Sequence, residues 1–384
     1  MISGQLRPPA FSNETRGAAR ACLDALDEAE RRQARHATSP FRAIAAIADS
    51  LDGDRPLSDR ISIVRANLRQ HDSHEARLDA MSGSTLQSAW PLWFKSDRQT
   101  FEKPLLYLFG SETLDRLRML SFESAGRGIL CNDAETRPSM WCKGVQPALP
   151  LWLASHPDCT PYDPASAAEA RAILRSALQA LYVEHKAGFY YLATHDDTHV
   201  DDGPLCRSDA EGAISGMYRL RLKPDVNTNG NSETTPQVRL CGAGMALQQV
   251  LHAASLLSRD WGGAAEVWSC PSYTRLAREG RAAARWNMLH PQSPPQRPHI
   301  ARCLGDSTTP VIAVTGYAQH IAEQIAPFAP ARFLALGAKP LRGTAGADFP
   351  GAQWITVIAL KALVDDGALS AQTLEAALRA YTLM

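Results

Sequence analysis

From Val238 onward, short apolar runs with strand character alternate with amphipathic runs of helical length, and the turns between them are brief. Val238-Arg239-Leu240, Ala264 to Ser269, Val311 to Thr315 and Phe333 to Leu336 read as strands. Helices fit the stretch after Gly242-Ala243-Gly244 to Leu257, the residues from Tyr273 to Arg278 and beyond, Tyr317 to Phe328, Trp354 to Val364 and Ala371 to Tyr381. Strands separated by helices run parallel in one sheet, with the helices packed on its faces. The order therefore predicts an α/β fold built from βαβ units.

The first half is more helical. Arg16 to Arg35 carries an apolar stripe of Ala19, Cys22, Leu23, Ala25 and Leu26. A second helix fits Phe41 to Leu51. A third is expected from Ser58, with Ile61, Ile63, Val64 and Leu68 as its apolar residues. Between Asp72 and Ser88 the pattern weakens. Pro104 to Phe109 reads as a strand, and Ser111 as the cap of a helix through Leu120. Asp163-Pro164 predicts a helix start, with Asp163 as N-cap and a run to about Tyr182. Phe189 to Leu192 reads as a buried strand. Asp225 to Gln237 is polar and holds no large apolar residue, as in a linker.

With 384 residues, 45% of them hydrophobic, the chain is long enough for two α/β domains and can bury a core. Forty Lys and Arg balance forty Asp and Glu, so the formal charge is zero and no electrostatic footprint for nucleic acid or an anionic membrane exists. No apolar run approaches the roughly 20 residues of a membrane helix. The first residues lack the basic-then-apolar build of a signal peptide. The eight cysteines are scattered without a C-x-x-C pair, which predicts reduced, mostly buried thiols and a cytoplasmic setting.

Several segments resemble the homodimeric type of pyruvate dehydrogenase E1 component, of the transketolase superfamily. They are Val267 to Gly280 (VWSCPSYTRLAREG) and Arg285 to Pro291 (RWNMLHP). Tyr162-Asp163-Pro164, Phe189 to Leu192, Gly216 to Leu220 and Leu240 to Gly244 match in the same order. The resemblance implies two parallel-sheet, transketolase-like domains. Residues 1–38 are then a helical extension, 39–224 a degenerate pyrimidine-type domain, 225–237 a linker and 238–384 the C-terminal domain.

Departures fall on the family's chemistry. Its diphosphate and magnesium are held by G-D-G followed by an Asn. The nearest runs here, Gly53-Asp54 and Gly305-Asp306, are not G-D-G. Its catalytic Glu precedes a Trp in a G-A-G-C-S-W-like run; the matching stretch is Ser82 to Trp90, with Gly83 near the Glu position and Asp79 the nearest carboxylate. Its histidine loop reads Gly144-Val145-Gln146-Pro147-Ala148-Leu149-Pro150-Leu151, without a proton-transfer group. An N-E-N-Y-like turn becomes His195-Asp196-Asp197, and a G-T-D-G-F-G-R-S-D-like loop becomes Gly337 to Gly343.

Other motifs read more simply as structure. His195, Asp196, Asp197, His199, Asp201 and Asp202 hold metal-ligand chemistry but fit an acidic surface loop. Gly242-Ala243-Gly244 opens a helix, yet Leu247 stands where a dinucleotide fingerprint needs glycine; the resemblance implies that the turn serves close packing instead. Asn287 and His290 beside Trp286 read as groups satisfying backbone, and Cys142 as a buried thiol. No catalytic, cofactor-binding or metal-binding residue is assigned. The expectation is a pseudoenzyme subunit acting by assembly, as a homodimer or with a chain resembling the diphosphate-binding domain. Thiamine diphosphate and magnesium then enter only if that partner supplies them. A repurposed small-molecule enzyme is the alternative.

Overall fold

The computed structural model describes residues 10–32, 39–66, 101–110, 114–124, 126–133, 148–196, 203–221, 237–340, 347–348 and 350–383. The chain divides into two units, one within residues 1–139 and 151–204, the other within 140–150 and 205–384. Each has its own mostly parallel sheet, as the α/β reading expects.

In the first unit, helices α1 (Asn13–Arg32), α2 (Pro40–Gly53) and the short α3 (Arg55–Ser58) precede strand β1 (Ser62–Ala66). Then come β2 (Leu105–Phe109), α4 (Leu114–Glu123), β3 (Arg127–Asn132), α5 (Ala148–Ser155, of which the part from Leu151 on belongs to this unit), β4 (Cys159–Tyr162), α6 (Ala167–Leu178) and β5 (Gly188–Ala193). A π-helical turn, Gln179–Val183, extends α6. The strand order is β1-β2-β3-β5-β4, all parallel. Alternate residues Leu106, Leu108, Ile129, Cys131, Tyr190 and Leu192 face one core with Ile44, Ile47 and Leu51 of α2 and Ile173 and Leu174 of α6. Every residue of β2, β3 from Gly128 and β5 is buried, as expected where helices cover both faces of a parallel sheet.

The stripe of α1 closes this core. Ala19, Cys22 and Leu26 sit in it with the α2 and α6 residues, so the helix packs on its own chain. Arg16 donates from Nε to the Val183 carbonyl at 3.2 Å, and Arg175 pairs with Asp27. Phe11 stacks on His185 with ring centroids 3.7 Å apart, and the Arg16 and Arg127 guanidinium groups lie over its ring.

The second unit comprises α7 (Arg207–Ser215), β6 (Tyr218–Arg219), β7 (Gln237–Gly242), α8 (Ala246–Trp261), β8 (Ala264–Ser269), α9 (Tyr273–Leu289), α10 (His299–Leu304), β9 (Val311–Val314), α11 (His320–Glu323), β10 (Phe333–Leu336), α12 (Ala352–Asp365) and α13 (Ala371–Ala380). Its strand order is β10-β9-β7-β8-β6, with only β6 antiparallel. A small antiparallel pair, β11 (Lys339–Pro340) and β12 (Ala347–Asp348), lies apart. Helix α8 packs on β7, β8 and α12.

Three sequence expectations are corrected. No helix continues from Ser58: it ends α3, and Ser62–Ala66 pairs with β2 in register Ser62↔Leu105. Ile61, Ile63 and Val64 are β-branched, and burial alternates at Val64 and Ala66, so a two-residue period wins over the helical one. Asp163 does not cap α6. Ser166 does: its Oγ accepts from the Glu169 N–H at 3.2 Å, while Glu169 Oε2 reaches back one residue further to accept from the Ala165 N–H at 2.7 Å. The stretch from Tyr317 to Phe328 is not one helix. It breaks after α11 and resumes as a 3-10 turn, Ala326–Phe328; Pro327 has no N–H to donate, so an α-helical hydrogen-bond ladder cannot run through it. Gln237 is the first residue of β7; 225–236, Ser111 and Leu68 lie outside the described residues.

Gly188 opens β5 with φ +98°, and a Cβ there would stand 2.4 Å from the Asp158 carbonyl oxygen. Both the left-handed backbone and the contact require glycine. Gly188→Ala is expected to destabilise the first unit by about 2–4 kcal/mol. Urea titration followed by tryptophan fluorescence reads this directly, and an unchanged midpoint contradicts it.

Candidate functional site

In an open parallel sheet the strands are consumed by packing, and polar chemistry collects beyond their carboxyl ends. In the first unit, β3 ends at Asn132 and continues to Asp133. Its neighbour β5 ends at Ala193 and continues to Thr194, His195 and Asp196. Beyond it, β4 ends at Tyr162 and continues to Asp163. The register pairs Asn132 with Ala193 and Tyr162 with Leu192, so the polar residues follow at one edge. Asp133, at 1% relative exposure, and His195, at 2%, are as buried as the apolar core; Asn132, Asp163 and Thr194 are buried too.

Hydrogen bonds fix this edge. Thr194 donates from both its N–H and Oγ1 to the Asn132 carbonyl, each at 2.9 Å. Asn132 donates from Nδ2 to the Tyr191 hydroxyl at 3.0 Å, and the Asp133 N–H donates to the Phe109 carbonyl at 2.8 Å. The Tyr162 and Tyr190 rings stack at 5.9 Å. The His195 carbonyl accepts from the Phe41 N–H at 3.0 Å.

Asp196 then anchors α2. It accepts from Ser39 Oγ at 2.7 Å, and Arg42 donates to both of its oxygens at 2.8 and 3.3 Å. Ser39 also caps α2 by accepting from the Arg42 N–H at 3.1 Å. The hydrogen bond to Asp196 raises the Arg42 pKa above its ordinary value. The reading of 195–202 as a surface loop is thus corrected at its start, where His195 is buried and Asp196 is committed to α2. Asp197, His199, Asp201 and Asp202 lie outside the described residues. Among the described residues no three His, Cys, Asp or Glu side chains are grouped to hold a metal ion. Asp133 and Asp163 carry no local motif, and the sequence reading passes them over as site residues.

The remaining candidates disperse. Gly53 ends α2 and Asp54 stands between α2 and α3. Asp306 pairs with Arg297 at 2.8 Å and is exposed. Neither arrangement fits a metal-bridged diphosphate, which needs several oxygen ligands converging on one point. Asp79 and Ser82 to Trp90 lie outside the described residues, as does Cys142. Of the stretch matching the histidine loop, Ala148 to Leu151 begins α5, where Leu149, Pro150 and Leu153 are buried and Trp152 packs on His156 and Phe189. A Cβ at Gly242 would meet the Leu247 Cα at 2.8 Å, which is the close strand–helix packing expected of that turn. A Cβ at Gly337 would meet the Gln319 nitrogen at 2.3 Å, so this end of the remodelled loop is packed backbone. Asn287 clasps Gln296, donating to its carbonyl at 3.0 Å and accepting from its N–H at 2.7 Å, while His290 Nδ1 meets the Trp286 carbonyl at 2.9 Å. These groups satisfy backbone on an exposed loop.

Among the described cysteines, Cys22, Cys131, Cys159, Cys241 and Cys270 are buried, Cys303 is partly buried and Cys206 is exposed. Burial pushes the Cys303 thiol up to about 11, against a smaller opposing effect of Arg302. His299 Nε2 donates to the Met217 carbonyl at 2.8 Å, so it offers Cys303, 3.4 Å away, no base. Alkylation at pH 7.5 is expected to modify Cys206 quickly and Cys303 slowly, with the Cys303 rate climbing as pH approaches 11. Peptide mapping after timed iodoacetamide quenches checks this; equal rates at pH 7.5 contradict it.

Residues 216–339 match the family described as the transketolase-like TK C-terminal domain. The pyruvate dehydrogenase E1 component of Cupriavidus necator is 32% identical over 288 residues, 72% of this chain and 31% of that protein. That of Mycolicibacterium smegmatis is 29% identical over 321 residues, 81% of this chain and 34% of that protein. The chain spans about a third of the length of the curated relatives it matches. Among solved structures, transketolase from Leishmania mexicana superposes with a TM-score of 0.48 at 16% identity, covering 85% of this chain and 46% of that one. A chain titled "Split gene transketolase, inactive beta4 tetramer" gives a TM-score of 0.46 at 14% identity, covering 85% and 98%. No helix among the described residues is long and apolar enough to cross a membrane.

Proposed function

For a relative of the pyruvate dehydrogenase E1 component whose second unit carries a transketolase-like C-terminal domain, we propose a role in assembly rather than independent catalysis. In this reading the chain joins a separate chain that brings the diphosphate and magnesium site. The observation that supports it best is helix α5. Where the related family supplies histidines, this chain has Ala148, Leu149, Pro150 and Leu151, and they start a helix with Leu149 and Pro150 buried. None of the four carries a titratable group, so none of them transfers a proton. Large apolar side chains on the surface agree with assembly: Phe122 is 78% exposed, and Met119 one turn away is exposed as well.

The reading makes a calorimetric prediction. Thiamine diphosphate with magnesium, titrated into the purified chain, is expected to give no binding isotherm. Adding a chain that carries the diphosphate site restores one. Tight binding by this chain alone sinks the proposal, as does its unaided consumption of a 2-oxo acid.

A second reading, a repurposed enzyme, draws on Asp133, Asp163 and His195. Buried carboxyls and an imidazole at one sheet edge are suited to acid–base work. Here the isolated chain would turn over a small molecule without thiamine diphosphate, and Asp133→Asn would slow it by about a hundredfold or more. Turnover that Asp133→Asn leaves intact excludes this edge as its site.

A further inference from the structure

Between Glu279 and Asp306 the chain carries no acidic residue but four arginines, Arg281, Arg285, Arg297 and Arg302, in a protein of zero net charge. Arg297 is paired with Asp306, and Arg302 lies 3.5 Å from Glu279. Among the described residues Arg281 and Arg285 have no ion pair, and both are exposed. They lie on the last turns of α9, where Ala283 alone is buried between Arg281 and Leu289. Positions 281, 285, 288 and 289 follow the i, i+4, i+7, i+8 spacing of one helix face. That face therefore presents two unpaired cations followed by Met288, 72% exposed, and Leu289, 59% exposed.

The element that carries this face is stiff. The returning loop is clasped by Asn287 on Gln296, by the stack of Trp286 on His290 at 4.5 Å, and by prolines at 291, 294, 295 and 298. At the base of the exposed stretch, Gly280 lets the Phe328 ring lie against α9, where a Cβ would approach it to 2.6 Å. A surface held in advance in one shape loses little entropy when it docks. Exposed large apolar residues beside uncompensated like charges are a standing cost in an isolated chain, and a complementary surface relieves both at once.

We propose that the 281–289 face of α9 docks an acidic surface of a second protein. That surface carries at least two carboxylates about one helical turn apart, opposite Arg281 and Arg285, and an apolar hollow for Met288 and Leu289. The inference rests on the assembly reading only in requiring that a partner exists. Nucleic acid would be drawn to the arginines but offers nothing to two exposed aliphatic side chains.

The test is photo-crosslinking in the source organism, with benzoylphenylalanine replacing Leu289 in the full chain and a control at exposed Glu375. Position 289 is expected to crosslink to a peptide of another protein bearing two or more neighbouring carboxylates, and position 375 is not. The charge reversal R281E/R285E is expected to reduce that yield at least about tenfold, with the melting temperature unchanged. Raising KCl from 0.1 to 1 M in the lysate, which shortens the screening length from about 10 to about 3 Å, should weaken the wild-type crosslink in parallel. Crosslinks to the chain itself, to nucleic acid or to a non-acidic peptide overturn the inference. So does the absence of a crosslink, or a yield that neither R281E/R285E nor salt changes. An acidic partner that leaves thiamine diphosphate binding absent upholds this surface and defeats the coenzyme part of the assembly reading; a coenzyme-restoring chain that never crosslinks at 289 does the reverse.

Discussion

Parallel strand pairing governs this protein. A parallel sheet needs a crossover after each strand, and the crossovers lay helices over both faces. Strand side chains are then committed to packing: all five residues of β2 and all six of β5 are buried. Polar chemistry is displaced to the carboxyl ends. The two units use that edge differently. In the first it carries Asn132, Asp133, Asp163, Thr194 and His195. In the second, the turns after β7 and β10 are filled by backbone, with Gly242 against Leu247 and Gly337 against Gln319.

Helix ends tie the sequence to that edge. Ser39 caps α2 and also donates to Asp196, so the residue after His195 fixes the helix that covers the core. The Ser166 cap, with Glu169 holding the Ala165 N–H, leaves Asp163 outside α6, at the end of β4. Each is a local hydrogen-bond choice with a consequence in the site. Helix α1, with its stripe of Ala19, Cys22 and Leu26, makes its long-range contacts in the same unit and finishes the core that α2 and α6 begin.

Legibility tracked how local each signal is. β8 and β10 were readable to the residue because an apolar run bounded by turn residues is specified within a few positions. β4 was not, since Cys-Thr-Pro-Tyr contains a proline; it is tolerated because β4 is an edge strand with one neighbour. Residues 58–66 misled because Ile61, Val64 and Leu68 suit a helix in isolation, whereas pairing with β2 rewards the alternation of Val64 and Ala66. The candidate site was the least legible part. Asp133, Asp163 and His195 are far apart in sequence, and no spacing rule connects them; the strand order β3-β5-β4 brings their positions to one edge.

The order of apolar runs, turn residues and caps by itself determined two parallel-sheet units, their relationship to pyruvate dehydrogenase E1 components and the departures from that family's chemical motifs. These are properties of short segments, fixed by periodicity and side-chain type. Tertiary structure decided which polar residues are buried together, that Ala148 to Leu151 begins a partly buried helix, and that one end of α9 stands exposed with its arginines unpaired. Those outcomes depend on which distant segments share a neighbour, because burial and charge pairing are set by the whole packed chain.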